Sequence, residues 1–152
     1  RLRSVSCVSV SSCVAVGFTV TGSTHVTLVM VWDGSVWSIV SSPNAGSFDE
    51  LRSVSCVSVS ECVAVGFTNT GSATETLVMV WDGTVWSIVS SPNAGSLDAL
   101  FSVSCVSASD CVAVGYTNTG NAFETLVISL TGPEPASPTT VAPDQVVPVF
   151  TG

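Results

Sequence analysis

Short apolar runs separated by turn residues extend along the whole chain and predict β-strands. In the first copy of the pattern these runs are rich in Val, Thr, Ile and aromatic residues, which favour strands, and they lie at 4–8, 13–19, 27–32 and 36–41. None of them keeps the period of an amphipathic helix over a useful length. Segments of Ser, Gly, Asn, Asp and Pro separate the runs, as expected of turns. The pattern therefore predicts an all-β protein.

The four runs form a unit that is repeated almost three times. Cys7, Cys56 and Cys105 follow one another at intervals of 49 residues. The segments 4–50 and 53–99 are identical at 39 of 47 positions. A period of this length is typical of arrays in which each unit packs on the next. We predict one β-repeat domain over 1–132, with the units 1–50, 51–99 and 100–132.

An Asp-Gly pair within each complete unit predicts a tight hairpin. Asp33-Gly34 lies between two apolar runs and suits a two-residue type I′ turn. This turn would place Trp32 opposite Ser35 and Met30 opposite Trp37. Both faces of the resulting sheet would be apolar, one with Leu28, Met30, Trp32, Trp37 and Ile39, the other with Val29, Val31, Val36 and Val40. The sheet is therefore expected to be covered on both sides by other sheets.

The six cysteines occur as one Cys-x5-Cys pair in each unit. Centring the first hairpin at residue 10 places Cys7 opposite Cys13, which is close enough for a disulfide. The same reasoning pairs the cysteines of the other copies, Cys56, Cys62, Cys105 and Cys111. Regular pairing in a chain without lysine predicts an oxidising, extracellular or cell-surface location. A zinc site is the alternative, but the spacing is not Cys-x2-Cys and the chain has a single histidine.

Composition and charge exclude several classes of partner. The chain is 46% hydrophobic and 9% charged, so its composition is not that of a disordered protein. Its formal charge is −8, with Lys and Arg together numbering only 3, which leaves no basic patch for nucleic acid. No apolar run approaches the roughly 18 residues that a spanning helix needs, so no membrane insertion is expected. The chain does not begin with Met, and we expect a processed or truncated product.

The two most repeated motifs carry a resemblance to a known type of repeat. They are Ser-Val-Ser-Cys-Val-Ser-x-Ser-x-Cys-Val-Ala-Val-Gly and Val-Trp-Asp-Gly-x-Val-Trp-Ser-Ile-Val-Ser-Ser-Pro-Asn. Over residues 4–132 the chain resembles the secreted β-propeller-like repeats common in actinobacteria and related bacteria. The resemblance implies tandem four-stranded antiparallel blades and export from the cell, but no activity. Closed propellers typically have four to eight blades. With about three units, this chain would be part of a larger ring, an open stack, or one of several chains that combine.

The sequence changes character after the third unit stops. Residues 133–144 are proline-rich and predict an extended linker. Residues 145–152 are strand-like except for proline, which restricts them to an edge. Since the third unit lacks a last strand, we hypothesise that this segment adds as a β-strand to its own third unit or to a neighbouring subunit. The residues concerned are Val146, Val147, Pro148, Val149 and Phe150. A cell-wall spacer is the alternative reading.

Few residues in the chain offer catalytic chemistry. The single histidine, His25, would be the only base for a catalytic triad, and it falls at 24–26, where sequence drift between the copies predicts a loop tip. Asp33 and Asp82 occupy turn positions that explain them without catalysis. Neither an enzyme nor a cofactor is expected. Oxygen ligands for Ca²⁺ are present without any calcium-binding motif, so a solvated loop is preferred for Asp49, Glu50 and Asp98.

Two functions remain from different classes. The first is a structural subunit of an extracellular or cell-surface assembly, possibly a filament, joined by C-terminal strand addition. Its partners would be copies of itself or cell-surface components. The second is a lectin-like carbohydrate-binding propeller module, with ligand-binding tryptophans repeated in each complete unit, namely Trp32, Trp37, Trp81 and Trp86. Alternatively, those tryptophans fill the space between sheets. Repeated solvent-exposed tryptophans would favour the carbohydrate-binding module over the structural subunit.

Overall fold

The computed structural model describes residues 1–131 and 139–141, and about 70% of them lie in strands, with no helix. The all-β prediction is confirmed. The strands are β1 (Leu2–Ser9), β2 (Ser12–Thr21), β3 (Thr24–Trp32), β4 (Trp37–Val40), β5 (Phe48–Ser58), β6 (Glu61–Asn69), β7 (Thr74–Trp81), β8 (Trp86–Val89), β9 (Leu97–Ser107), β10 (Asp110–Asn118), β11 (Phe123–Thr131) and β12 (Thr139–Val141).

The first two copies of the repeat each fold into four antiparallel strands that pair in chain order, and the third copy supplies three strands, to which β12 from the following segment adds. We call β1–β4 the first unit, β5–β8 the second and β9–β12 the third. Successive units are joined by short parallel contacts, His25 with Phe48 and Thr74 with Leu97. The result is a single curled sheet that is open, like half of a barrel.

The segment that links two units is fixed to both of them. Asn44 Oδ1 accepts a hydrogen bond from Thr27 N of the first unit, at 2.7 Å. Ser47 N donates to Asn69 O of the second unit, at 3.1 Å. The second link repeats both contacts at 2.8 and 3.0 Å. These contacts give a physical reason for the identical Ser-Ser-Pro-Asn-Ala-Gly-Ser sequence of the two links.

The apolar core lies between units rather than inside any one of them. At each junction, valines of one unit pack on Leu, Val, Ala and Met or Ile side chains of the next. The first junction buries Val16, Val29, Leu51, Val54, Cys62, Ala64, Leu77, Met79 and Trp86. The second buries Val63, Val65, Val78, Leu100, Val103, Cys111, Ala113, Leu126 and Ile128. The second unit therefore packs on a neighbour at each of its two faces. The predicted covering of both faces is wrong for the first unit, where Trp37 and Ile39 are exposed because no described unit packs in front of them.

The predicted register of the tryptophan hairpin is wrong by two residues. Trp32 pairs with Trp37 and Met30 with Ile39, so four residues form the turn instead of two. Among the described residues no non-glycine has positive φ, whereas a type I′ turn requires positive φ at Asp33 as well as at Gly34. The side chain of Asp33 holds the wider turn. Because side chains alternate with a period of two, a shift of two residues leaves the residues of β3 and β4 on their predicted faces. Val36 was predicted in the strand and lies in the turn.

The third unit ends differently from the other two. β4 and β8 pair with Val29–Trp32 and Val78–Trp81. In the third unit, β12 pairs with Thr125–Val127, nearer the start of β11. β12 lies inside the segment 133–144 that was predicted to be a linker. The predicted edge strand, 145–152, lies outside the described residues.

Candidate functional site

All six cysteines form the predicted disulfides. Each bond joins the first two strands of a unit, and the Sγ–Sγ distances are 2.02, 2.05 and 2.08 Å. The register places each pair directly opposite, as in Cys7 with Cys13. Within the described residues there is no free cysteine. The sulfur atoms therefore serve as cross-links and offer no thiolate for zinc binding or redox chemistry.

The four tryptophans form one pair in each complete unit. Ring centroids lie 5.7 Å apart in both pairs. The indole N–H of Trp32 donates to Val10 O at 3.2 Å, and Trp81 donates to Val59 O at the same distance. Their partners differ in burial, because Trp86 is 5% exposed in the first junction while Trp37 is 42% exposed. Only the second unit has a preceding unit against which this tryptophan packs.

A shallow cleft of about 450 Å³ lies between the first two units, beside the buried tryptophan. Val40 and Pro43 line it from the first unit, and Trp81 and Trp86 from the second. Its walls are mainly apolar side chains, with serine and threonine at the edge. This cleft is where the structure brings predicted ligand-binding tryptophans to an accessible surface.

The turn aspartates are held as ionised hydrogen-bond acceptors. Asp33 Oδ1 accepts from Val36 N at 2.9 Å, Ser35 Oγ at 2.7 Å and Ser35 N at 2.8 Å. These donors hold the pKa of Asp33 below its ordinary value of 3.8. Asp82 accepts the same three bonds from Val85 and Thr84, and its pKa is lowered in the same way. Such carboxylates are poor general acids at neutral pH.

His25 does not lie on a loop tip, contrary to the prediction. The turn is at Gly22–Ser23, and His25 belongs to β3. Its ring stacks between Phe18 and Phe48, at centroid distances of 4.7 and 3.6 Å. Nδ1 lies 2.8 Å from Glu50 Oε1. The histidine is thus a packed residue of the first junction.

The histidine's contacts also give a reason for the sequence drift. Three of the differences between the first two copies, at positions 25, 48 and 50, lie together in the structure, since His25 contacts both Phe48 and Glu50. In the second junction they become Thr74, Leu97 and Ala99. A stacked, hydrogen-bonded cluster is replaced as a group by smaller side chains without a carboxylate or an aromatic ring. Linear spacing conceals this because position 25 is far from 48 and 50 in sequence.

The acidic residues proposed as a solvated loop are buried instead. Asp49 and Asp98 are 0% exposed and Glu50 is 4% exposed. The carboxylate of Asp49 accepts from Gly46 N, at 3.2 and 3.1 Å to its two oxygens, and Asp98 Oδ2 accepts from Gly95 N at 3.1 Å. Arg52 Nη2 lies 2.7 Å from Glu50 Oε2. Asp49 and Asp98 therefore hold the backbone of the two links between units. Buried carboxylates need such hydrogen-bond donors.

The last strand of the array offers an incomplete edge. In β3, the residues Val29–Trp32 are covered by β4. The equivalent stretch of β11 is 127–130, and of it only Val127 pairs with β12. Among residues 1–131 and 139–141, no strand pairs with this edge of β11 from Ile128 to Thr131. Unpaired backbone N–H and C=O groups of this kind accept an added strand readily.

Comparison with protein-family models, with curated proteins and with solved structures finds no match. The described part of the chain contains no helix long and apolar enough to cross a membrane. Within the same residues, no group of three or more His, Cys, Asp or Glu side chains is placed to hold a metal ion. Function is therefore inferred from the junctions, the tryptophans and the open edge.

Proposed function

We propose that this chain is a structural subunit of an extracellular or cell-surface assembly, such as a filament, whose copies are joined by strand addition of the C-terminal segment. The observation that carries the proposal is the edge of β11, which in the described residues has no partner strand from Ile128 to Thr131. The first two units fill this position with β4 and β8. A strand from residues 146–150 of a neighbouring copy would complete the third unit in the same way.

The chemistry of the candidate strand suits an edge position. Val146, Val147, Val149 and Phe150 are strand-forming residues. Pro148 cannot donate a backbone hydrogen bond, which limits the strand to pairing on one side. The residues 132–138 and 142–145 are proline-rich and polar, which is a linker composition. Such linkers would allow residues 146–150 to reach a second molecule.

The architecture supports a propeller-like arrangement of units. Each unit is a four-stranded antiparallel meander, which is the form of a propeller blade. The first strands of successive units lie beside one another, since Ser4 Oγ and Ser6 Oγ on β1 accept from Val54 N and Cys56 N on β5. The resemblance to secreted propeller-like repeats agrees with this arrangement. Three disulfides support an oxidising, extracellular location.

Proline scanning of the full chain tests the strand addition. The double variant Val147→Pro and Val149→Pro removes two backbone donors that a paired strand requires. The control, Val147→Ile and Val149→Ile, keeps the donors and the strand propensity. We expect light scattering and electron microscopy to show larger assemblies for the native chain and the control than for the proline variant. Equal assembly of both variants would overturn the proposal, as would deletion of residues 133–152 without any loss of assembly.

A lectin-like module is the second candidate, and the apolar cleft beside Trp81 and Trp86 favours it. Aromatic side chains at an accessible cleft can hold the apolar face of a sugar ring. Binding would quench or shift tryptophan fluorescence on titration with soluble glycans. Trp81→Ala should then lose the signal, while Trp37→Ala, outside the cleft, should keep it. A flat titration across a diverse glycan panel would remove this candidate.

A further inference from the structure

The two ends of the array expose faces that are buried at both internal junctions. We define the leading face by Leu2, Val5, Leu28, Met30 and Trp37 of the first unit. We define the trailing face by Val106, Val112, Val114 and Val127 of the third unit. At each junction the trailing face of one unit packs on the leading face of the next. In the described chain, the first leading face and the last trailing face have no such neighbour.

The change in burial along the leading face is large. Leu2 is 51% exposed, whereas its counterparts Leu51 and Leu100 are 0% exposed. Val5 is 58% exposed, against 5% for Val54. The side chains are the same at the equivalent positions. They differ in that, within the described residues, a unit packs in front of the second and third copies and none packs in front of the first.

The trailing face shows the same effect at the other end. Val114 is 41% exposed, while its counterparts Val16 and Val65 are 0% exposed. Val112 is also exposed, whereas Val63 is buried. Val106 is 87% exposed, and its counterparts Val8 and Val57 are half-buried. An apolar patch of this kind marks an interaction surface in a soluble protein.

Polar groups at the two ends are complementary as well. At the internal junctions, serine hydroxyls of one first strand accept backbone N–H groups of the next, at 3.0 to 3.3 Å. Ser102 and Ser104 occupy the accepting positions at the trailing end and are exposed. Of the described residues, none donates to them in this way. The matching donors at the leading end are Val5 N and Cys7 N.

We propose that the trailing face of one copy docks on the leading face of a second copy and reproduces the internal junction between chains. Val114 would pack against Leu2 and Val5, while Ser102 Oγ and Ser104 Oγ accept from Val5 N and Cys7 N. The occupant is a second copy because the internal junctions already show this surface packed on a nearly identical one. The contact is heterologous, so it generates either a closed ring or an open filament. The inference deepens the proposed function by naming a second joining surface, independent of the C-terminal strand.

Two charge substitutions test the docking. Val5→Glu blocks the leading face and Val114→Glu blocks the trailing face, and both positions are exposed in the single chain, so the fold should tolerate them. Burying an unpaired carboxylate should weaken the contact by about 100-fold or more. Val10→Glu is the matched control, because Val10 lies at a turn and is 97% exposed. Circular dichroism verifies that all three variants keep their strand content, and mass spectrometry verifies that their three disulfides have formed.

Mixing the two blocked variants gives the decisive readout. Both substitutions and the control are placed in the background of Val147→Pro with Val149→Pro, so that strand addition does not contribute. In sedimentation velocity, each blocked variant alone should then remain monomeric, while the proline background and its Val10→Glu derivative associate. An equimolar mixture should form dimers and stop there, because one intact leading face and one intact trailing face remain. The inference is overturned if both blocked variants associate like the unblocked proline background. It is equally overturned if the mixture stays monomeric.

The proline variant separates this inference from the strand-addition proposal. If Val147→Pro with Val149→Pro associates as strongly as the native chain and the blocking substitutions abolish that association, face docking holds and strand addition fails. If the proline variant is monomeric and Val5→Glu with the native C-terminal segment associates like the native chain, the reverse is true. The two joining surfaces therefore fail in distinguishable ways.

Discussion

The same residue takes different roles in this protein according to its place in the array. Trp37 and Trp86 sit in identical local sequence and make the same tryptophan pair within their own units. Only Trp86 has a preceding unit to pack on, and it becomes part of the first junction. The exposure of Trp37 is therefore a consequence of its position at an end. It does not by itself indicate a sugar-binding residue.

Truncating the two tryptophans should have unequal effects on stability. We expect Trp86→Ala to lower the free energy of unfolding by about 3–5 kcal/mol, as for other buried aromatic residues. Trp37→Ala should cost about 1 kcal/mol, because the side chain is 42% exposed. Urea unfolding of both variants, below the concentration at which the native chain associates, measures the difference. Equal losses would show that the burial of Trp86 in the junction does not stabilise the fold.

The turn aspartates should make stability depend on acid pH. The folded-state pKa of Asp33 lies below 3.8, so its contribution is complete above that value. The contribution declines as pH falls from 3.8 to the lowered folded-state pKa. Asp33→Ala should therefore be less stable than the native chain at pH 7, and the gap should narrow as the pH falls below 3.8. A gap that stays constant from pH 7 to pH 2 in urea unfolding would rule out this role for the carboxylate.

At the scale of elements, strands and disulfides could be predicted because both follow from local rules. Val- and Thr-rich runs bounded by turn residues gave the strand positions, and the two-residue alternation gave their faces. The pairing of Cys7 with Cys13 followed from the centre of one short hairpin. The local rule gave the wrong turn length at Asp33. Three donors to one carboxylate oxygen stabilise a four-residue turn there, whereas the Asp-Gly rule assumes two residues.

Features that depend on contacts between units could not be predicted from the repeat pattern. Sequence differences at 24–26 predict a loop tip, but His25 lies in a strand. The difference at position 25 instead accompanies its contacts with Phe48 and Glu50, which also differ in the second copy. β12 falls in a proline-rich segment, and its pairing with Thr125–Val127 is a long-range contact with no local signal. The burial of Asp49 likewise accompanies hydrogen bonds from Gly46 N of the link between units.

Removing a disulfide should cost more in the middle of the array than at its start. Each bond closes a loop of the same length, with a sequence separation of 6, which on the chain-entropy model is worth about 2 kcal/mol. Cys62 is also buried in the first junction, whereas Cys13 is only half-buried. We expect Cys56→Ala with Cys62→Ala to be less stable than Cys7→Ala with Cys13→Ala by about 1 kcal/mol. Thermal unfolding of the two double variants compares them, and equal midpoints would contradict a packing role for Cys62.

At the scale of the whole molecule, the described residues form a curled sheet with one apolar face uncovered at each end. Its cores lie between units, so a unit with a single neighbour leaves one of its two apolar faces exposed. Two copies joined at these faces would bring together six units, within the four to eight blades of closed propellers. A mass that stops at two copies would identify such a ring, and continued growth would identify a filament. The charge of −8 per chain opposes either contact at low salt.

The molar mass of the intact, disulfide-bonded chain as a function of concentration tests the central claim most directly. The account predicts a mass above the 15.5 kDa of one chain that rises with protein concentration, measured by sedimentation equilibrium at moderate salt. The same chain carrying both Val5→Glu and the two proline substitutions should stay at the monomer mass throughout. A native chain that remains at 15.5 kDa up to the highest soluble concentration would contradict self-assembly by either surface.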